Sequence, residues 1–271
     1  MRILTLRRFF TSPRLSVCSP SNQRNLMTTT LNRILALLAV YTEKYVLSLV
    51  FFCLALLEFK KIWNFLSGRL GAETAVFMDA VHHLIMLLLY MFTGLLLLLA
   101  CRPAVPPQKL RFILVPLAAT FFYLVYSTVP LFPASLQINL CPRSLQMSLL
   151  AVGLTCTIVG PMFAIWGIVH LGRSFGVYVT VRQVVTTGPY QWVRHPMYLG
   201  GGCMCVGVAI ANFSGAYFLL VAMHISLLLY RAHLEQMQLS EHSAEYREYM
   251  KRTRFISPKF RQSASDSLKA E

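Results

Sequence analysis

The chain has 271 residues, 56% of them hydrophobic and only 13% charged, with a net charge of +15. That balance lies outside the range of soluble globular domains and reads as a polytopic membrane protein, with no room for a separate soluble domain of ordinary size. The basic excess suits the anionic headgroups of membrane lipids. Because the Lys and Arg residues flank apolar runs and form no DNA-binding pattern, nucleic acid is excluded as a partner.

Residues 1–42 form a basic arm. Arg2, Arg7, Arg8, Arg14, Arg24 and Arg33 stand there without an acid among frequent Ser and Thr, the pattern of a mitochondrial transit peptide. A basic arm lying on a cytosolic membrane face, or a start at Met27, would leave the same trace. Residues 43–144 hold the N-terminal membrane helices. Tyr45–Leu57 is the centre of a first span that extends back toward Leu31, Val81–Cys101 is a second, and Phe112–Phe132 a third. In the core, residues 145–260, Leu145–Leu171 is long enough to cross with tilt. Two shorter runs follow, Tyr198–Ala211 and Ala216–Tyr230. Split by Asn212-Phe213-Ser214-Gly215, they read as a helical hairpin whose second helix continues into a polar tail. Residues 261–271 read as a disordered terminus.

The expected fold is therefore all-α: a polytopic bundle of about four spans plus a C-terminal helical hairpin, with a cytoplasm-facing helical tail. Loop charge sets the topology. Arg102, Lys109, Arg111, Arg173, Arg182, Arg194 and the basic tail fall on one side, which the positive-inside rule makes the cytoplasm-like face. Lys60, Lys61, Arg69 and Arg143 on the other side are offset in part by Glu58, Glu73 and Asp79. A metal site is not expected. The seven cysteines are scattered, Cys203-x-Cys205 is not a zinc spacing, and His233 and Glu235, two apart, do not share a helical face.

The most informative stretch runs from Gly188 to Gly200: Gly-Pro-Tyr-Gln-Trp-Val-Arg-His-Pro-Met-Tyr-Leu-Gly. Pro189 and Pro196 fix φ and push the residues before them out of helix, so this is a shaped loop. An Arg at mid-bilayer costs roughly 2.5–3.5 kcal/mol on insertion scales, so Arg194 and His195 belong at the membrane surface or in a site. In the tail, Arg231 and Glu235 are i, i+4 on one helical face. Leu239, Tyr246, Tyr249 and Pro258 follow. By itself the Arg231–Glu235 pair reads as a solvated surface pair; its place at a membrane exit, on the side of the Arg-His-Pro loop, argues for more.

These residues carry a resemblance. Trp166, Leu171-Gly172-Arg173-Ser174-Phe175, Thr187-Gly188-Pro189-Tyr190 and Arg194-His195-Pro196-Met197-Tyr198-Leu199-Gly200, with the tail, resemble the isoprenylcysteine carboxyl methyltransferases and the related phospholipid methyltransferases. The likeness covers roughly residues 145–260. It departs at Gln236, where a second Glu is usual, and at His242-Ser243, where Phe-Gly is usual. The resemblance implies an integral-membrane enzyme using S-adenosylmethionine, bound between the Arg-His-Pro loop and the tail helix. Tyr190, His195, Tyr198, Gly200, Glu235, Tyr246 and Tyr249 would bind the cofactor, and Arg194, Arg231 and Glu235 would serve catalysis. The implied partners are membrane lipids and a lipophilic small molecule or prenylated substrate.

The physics of the residues agrees with that chemistry. Tyr190, Trp192 and Tyr198 offer aromatic faces to a sulfonium cation. Arg194 or His195 can hold the donor's carboxylate, and Glu235 its ammonium or ribose. Arg231, with Arg194, would orient an acceptor anion. Trp192 and Tyr198 also read as members of an interfacial aromatic belt, and Gly200-Gly201-Gly202 as a close-packing face that lets the loop approach the hairpin. A carboxylate acceptor is expected; a lipid amine or thiol would suit the same fold. An NADPH-dependent sterol-type reductase is a rival, but such enzymes show Asn before the Tyr and Arg-Asp-Glu in the tail, where this chain has Met197 and Arg231-Ala232-His233-Leu234-Glu235. A non-catalytic scaffold is the other rival. If the arm is a transit peptide, a mitochondrial membrane is the expected home; otherwise it is the endoplasmic reticulum or a bacterial inner membrane.

Overall fold

The computed structural model describes residues 30–67 and 74–255. The bulk of the transit-like arm and the terminus expected to be disordered lie outside these residues. Helix α1 (Thr30–Tyr41) passes through a π-helical turn, Thr42–Val46, into α2 (Leu47–Leu66), so helix runs without a break across the expected arm boundary at residue 42. Then come α3 (Thr74–Leu99), α4 (Arg111–Phe121), the short α5 (Ala134–Gln137), α6 (Arg143–Leu171), α7 (Pro196–Asn212), α8 (Gly215–His242) and α9 (Ala244–Arg252). Among the described residues β-pairing is limited to three isolated bridges. The fold is all-helical, as expected.

Ala80–Leu99, Arg143–Ser174 and Gly215–His242 are long and apolar enough to cross a membrane, and Arg111–Tyr126 and Pro196–Asn212 are shorter apolar helices. Leu37, Leu49, Leu56, Val159 and Met162 project outward and exposed, an apolar belt that suits lipid contact and not water. The third apolar run does not stay α-helical. At Phe121 the backbone leaves the α basin (φ −99°, ψ 3°), and Phe122–Leu131 winds as a 3-10 helix. Pro130, which has no N–H to give to a helical bond, lies within that stretch.

The tightest seam joins α6 and α7, and glycine makes it possible. A Cβ on Gly160 would lie 2.5 Å from the Gly200 carbonyl oxygen, and one on Gly200 would lie 2.5 Å from that of Gly160. About two turns away the arrangement repeats, with a Cβ on Gly207 falling 2.7 Å from the Gly153 carbonyl oxygen. Small residues at matched positions let membrane helices approach backbone to backbone. Of the expected glycine face only Gly200 packs this way, and it packs on α6, not within the hairpin; no described residue stands within 4 Å of a Cβ on Gly202. The hairpin itself forms as expected. Phe213 turns the chain in the left-handed region (φ 42°), its N–H bonded to the Ala209 carbonyl at 2.8 Å and its ring edge-on to Phe218.

Loops sort to two ends. At one end Cys101 N–H donates to the Arg173 carbonyl, Ala104 N–H to that of Val181, and Arg194 N–H to that of Arg254. At the other, Leu140 N–H donates to the Phe213 carbonyl and Asn139 bridges Ser214. The two basic inter-helix loops and the tail are thus gathered at one end, the co-location that loop charge had implied.

Candidate functional site

At the gathered end a pocket opens between the segment after α6, the Arg-His-Pro loop, the start of α7 and the polar half of α8 with α9. Its lining includes Tyr190, Arg194, His195, Tyr198, Glu235, Tyr246 and Tyr249, seven of the nine residues singled out in the sequence. Local chemistry explains the placement. Pro196 opens α7, so His195 sits at its N-cap with φ −128° and ψ 62°, where a helix would otherwise have carried its side chain away. Ser243 caps α9 by accepting the Tyr246 N–H at 3.1 Å. This departure from the family's usual Phe-Gly therefore starts the helix that carries Tyr246 and Tyr249 into the wall. The Tyr249 hydroxyl donates to the Tyr190 carbonyl at 2.6 Å and clamps tail to loop.

Around Glu235 the groups interlock. The Tyr198 hydroxyl donates to Glu235 Oε1, and Arg231 Nε lies 3.5 Å from the same oxygen. Arg231 also stands over the Tyr198 ring, 5.1 Å from its centroid, a cation–π contact out of solvent. The His195 ring stacks on Tyr198 at 5.4 Å and meets Phe255 edge-on at 5.0 Å. Burial, helped by the neighbouring Arg194 and Arg231 charges, pushes the His195 imidazole down to about 3, so it is neutral at physiological pH. Its 4.0 Å approach to Glu235 Oε2 is then a dipolar contact and not an ion pair. Burial, with the Glu235 charge next, holds the Tyr190 and Tyr246 hydroxyls protonated well above the usual phenol range.

Arg231 and Gly200 stand elsewhere. Arg231 is buried behind the pocket, its Nη1 donating to Thr120 Oγ1 at 2.8 Å and its Nη2 to the Val177 carbonyl at 2.9 Å. Gly200 lies in the α6–α7 seam. Trp192 is exposed and packs edge-on against Trp166 at 5.5 Å, outside the pocket lining. Gln236, which stands where a second Glu is usual in the proteins it resembles, buries its Oε1 without a hydrogen-bond partner among the described residues.

One wall was missed in the sequence. Ser174, Gly176, Tyr178, Thr180, Arg182 and Val184 line the pocket from the irregular segment after α6, where periodicity carries no signal. The available clue was Glu43. It is the first acid in the chain and sits inside an apolar run, where a carboxylate needs a partner.

Four buried polar atoms of the residues lining the pocket have no hydrogen-bond partner among the described residues: Arg194 Nε and Nη1, His195 Nε2 and Tyr246 Oη. Leaving such groups unmatched costs about 1–3 kcal/mol each, more for a charge, so their convergence marks a place for a polar ligand. Residues 148–245 match the family model described as phospholipid methyltransferase. The matched stretch, about a third of the chain, runs from within α6 to the start of α9 and holds every residue of the pocket named above except Tyr246 and Tyr249. Over that stretch the chain is similar to phospholipid methyltransferases, and its apolar helices suit a membrane. A comparison with proteins of curated function finds no match.

Proposed function

We propose that the protein is an integral-membrane methyltransferase that uses S-adenosylmethionine to methylate a lipophilic acceptor, with a carboxylate as the accepting group. The observation that carries this reading is the set of buried, unmatched polar atoms of Arg194, His195 and Tyr246 converging beside Glu235. The residues present fit the cofactor. Arg194 has two N–H-bearing atoms free for its carboxylate, Glu235 suits its ammonium or ribose, and Tyr190, Tyr198, Tyr246 and Tyr249 surround a place for a cation. When bound, the cofactor supplies a methyl group on a sulfonium, transferred as the C–S bond breaks and the bond to the acceptor forms.

The chain's own residues orient and desolvate. Arg231 cannot reach an acceptor anion while both its Nη atoms are bonded to Thr120 and Val177. Its role is to hold Glu235 and Tyr198 in place. Glu235 Oε1 is committed to Tyr198 and Arg231, and His195, held neutral with low proton affinity, is a poor base. An amine acceptor must shed a proton and would need such a base. A carboxylate is nucleophilic as it stands and needs only positioning and exclusion of water. This favours the carboxylate over the amine. The apolar Leu171, Met197 and Leu239 in the lining suit a lipid-like body. The basic arm supports a mitochondrial membrane as the location.

The test is incubation of purified full-length protein with labelled S-adenosylmethionine and a panel of lipophilic acids, amines and thiols. Acids become labelled as base-labile esters. Arg194→Ala and Glu235→Ala each lower turnover at least 100-fold while both variants still insert into membranes. Label on amines alone would overturn the carboxylate reading. A melting temperature raised by NADPH and not by the methyl donor would overturn the methyltransferase reading altogether.

A further inference from the structure

The wall made by residues 174–185 has no regular secondary structure to hold it. What holds it is Glu43, 134 positions earlier in the chain than Val177 and outside the matched domain. The π-helical turn Thr42–Val46 lodges this carboxylate in the interior, where it is 2% exposed. Its Oε1 accepts from the Val177 and Tyr178 N–H groups at 2.7 and 2.8 Å. Its Oε2 accepts from Arg182 Nη2 at 2.6 Å. Arg182 in turn donates to the Phe175 carbonyl and, through Nε, to Thr180 Oγ1 at 3.1 Å. Thr42 Oγ1 lies 3.3 Å from the Tyr178 hydroxyl. One carboxylate and one guanidinium thereby tie five wall positions between 175 and 182: Val177, Tyr178 and Arg182 directly to Glu43, and Phe175 and Thr180 through the arginine. A Cβ at Gly176 would fall 2.9 Å from both Glu43 Oε1 and Arg182 Cζ, so glycine is what lets the two charges close over the backbone. The wall reaches the reacting end as well, because the Val177 carbonyl accepts from Arg231 Nη2, and Arg231 holds Glu235.

We infer that Glu43 is a positioning residue of the pocket: from the π-helical turn between α1 and α2 it fixes the wall on which the methyl donor is held, and through Val177 it aligns Arg231 and Glu235. The assignment rests on the donor-binding reading of this pocket. A buried pair that merely stabilised the bundle would be replaceable with a loss of stability alone. A positioning residue moves the affinity of the site.

The experiment compares full-length wild type, Glu43→Gln and Gly176→Ala in detergent micelles. Hydrogen exchange at the Val177 and Tyr178 amides is read without ligand, and S-adenosylmethionine affinity by the ligand-induced shift in melting temperature. Glu43→Gln keeps an acceptor for the two amides but loses the second acceptor for Arg182. Gly176→Ala keeps both charges and displaces flexible side-chain ends, so it remains folded if Glu43→Gln does not. The expected result is at least tenfold faster exchange at residues 177–178 and at least tenfold weaker donor binding in either folded variant. Unchanged exchange in a folded variant, or a lowered melting temperature with unchanged donor affinity, overturns the inference. If wild type shows no donor-induced shift while the variants exchange faster, Glu43 still organises the wall and the donor-binding reading is what fails.

Discussion

Burial at His195 has a consequence that can be measured without any substrate. Its folded-state pKa, near 3, lies below the unfolded value of about 6.5. Between these values the unfolded chain binds a proton that the folded chain refuses, so stability rises with pH across the window. The contribution is complete above about pH 6.5 and is lost progressively as pH falls toward 3, on the order of 5 kcal/mol in all. His195→Asn removes the titration. We expect its melting temperature to fall less between pH 7 and 4.5 than that of wild type; equal slopes would show that His195 is not buried neutral. The residue types at this site were legible in the sequence. Arg194, His195 and Glu235 stood where charge is costly, and Pro196 announced the loop. Arg231 was legible as a partner of Glu235, but its direction was not. An i, i+4 spacing gives the face of a helix, and only the neighbouring helix α4, with Thr120, and the wall carbonyl of Val177 decide that the guanidinium lies behind the pocket.

Among elements, the α6–α7 seam positions everything else, because it holds the Arg-His-Pro loop at the head of α7 against the end of α6. Gly167 at that end would meet Met197 Cγ at 3.2 Å with a Cβ added. Backbone-to-backbone approach leaves no side chain that can swing aside at Gly160 and Gly200, so a larger residue must separate the helices. Gly160→Val and Gly200→Val should each cost about 1–3 kcal/mol or more. The loss should appear as a lower melting temperature and a lower yield of folded protein, while Gly202→Val, in open space, leaves both unchanged. Equal effects of Gly200→Val and Gly202→Val would show that the seam is not where the structure puts it. The triple glycine gave notice of a close-packing face. Which of the three packs, and against which helix, depended on rotation about the helix axis, which is set by packing partners and not by local sequence. The third apolar run likewise announced a helix, while its passage into a 3-10 helix at Phe121 had no clear local mark.

For the whole molecule, the sorting of loops into two ends predicts a labelling pattern. Cys101 is exposed at the pocket end, where its N–H meets Arg173. Cys141 lies at the other, beside Asn139 and the hairpin turn. In sealed vesicles, single-cysteine versions carrying one or the other should react with an impermeant maleimide from opposite sides. Reaction of both from the same side would break the arrangement in which α6 crosses the bilayer. The expected gathering of basic loops at one end came from charge alone, because moving Lys and Arg across a bilayer is unfavourable whatever the fold.

By itself the sequence determined a helical membrane protein, the order of its apolar runs and the two polar stretches that face each other at one end. These follow from local quantities: hydropathy summed over a helix length, proline and glycine geometry, and the cost of charge in lipid. Only the tertiary structure decided that Glu43, in the turn between α1 and α2, fastens the pocket wall, that Arg231 stands behind Glu235, and that Gly200 belongs to a helix seam. Each of those depends on contacts between segments far apart in the chain. Such contacts are set by how helices rotate and pack against one another, and no window of neighbouring residues encodes that.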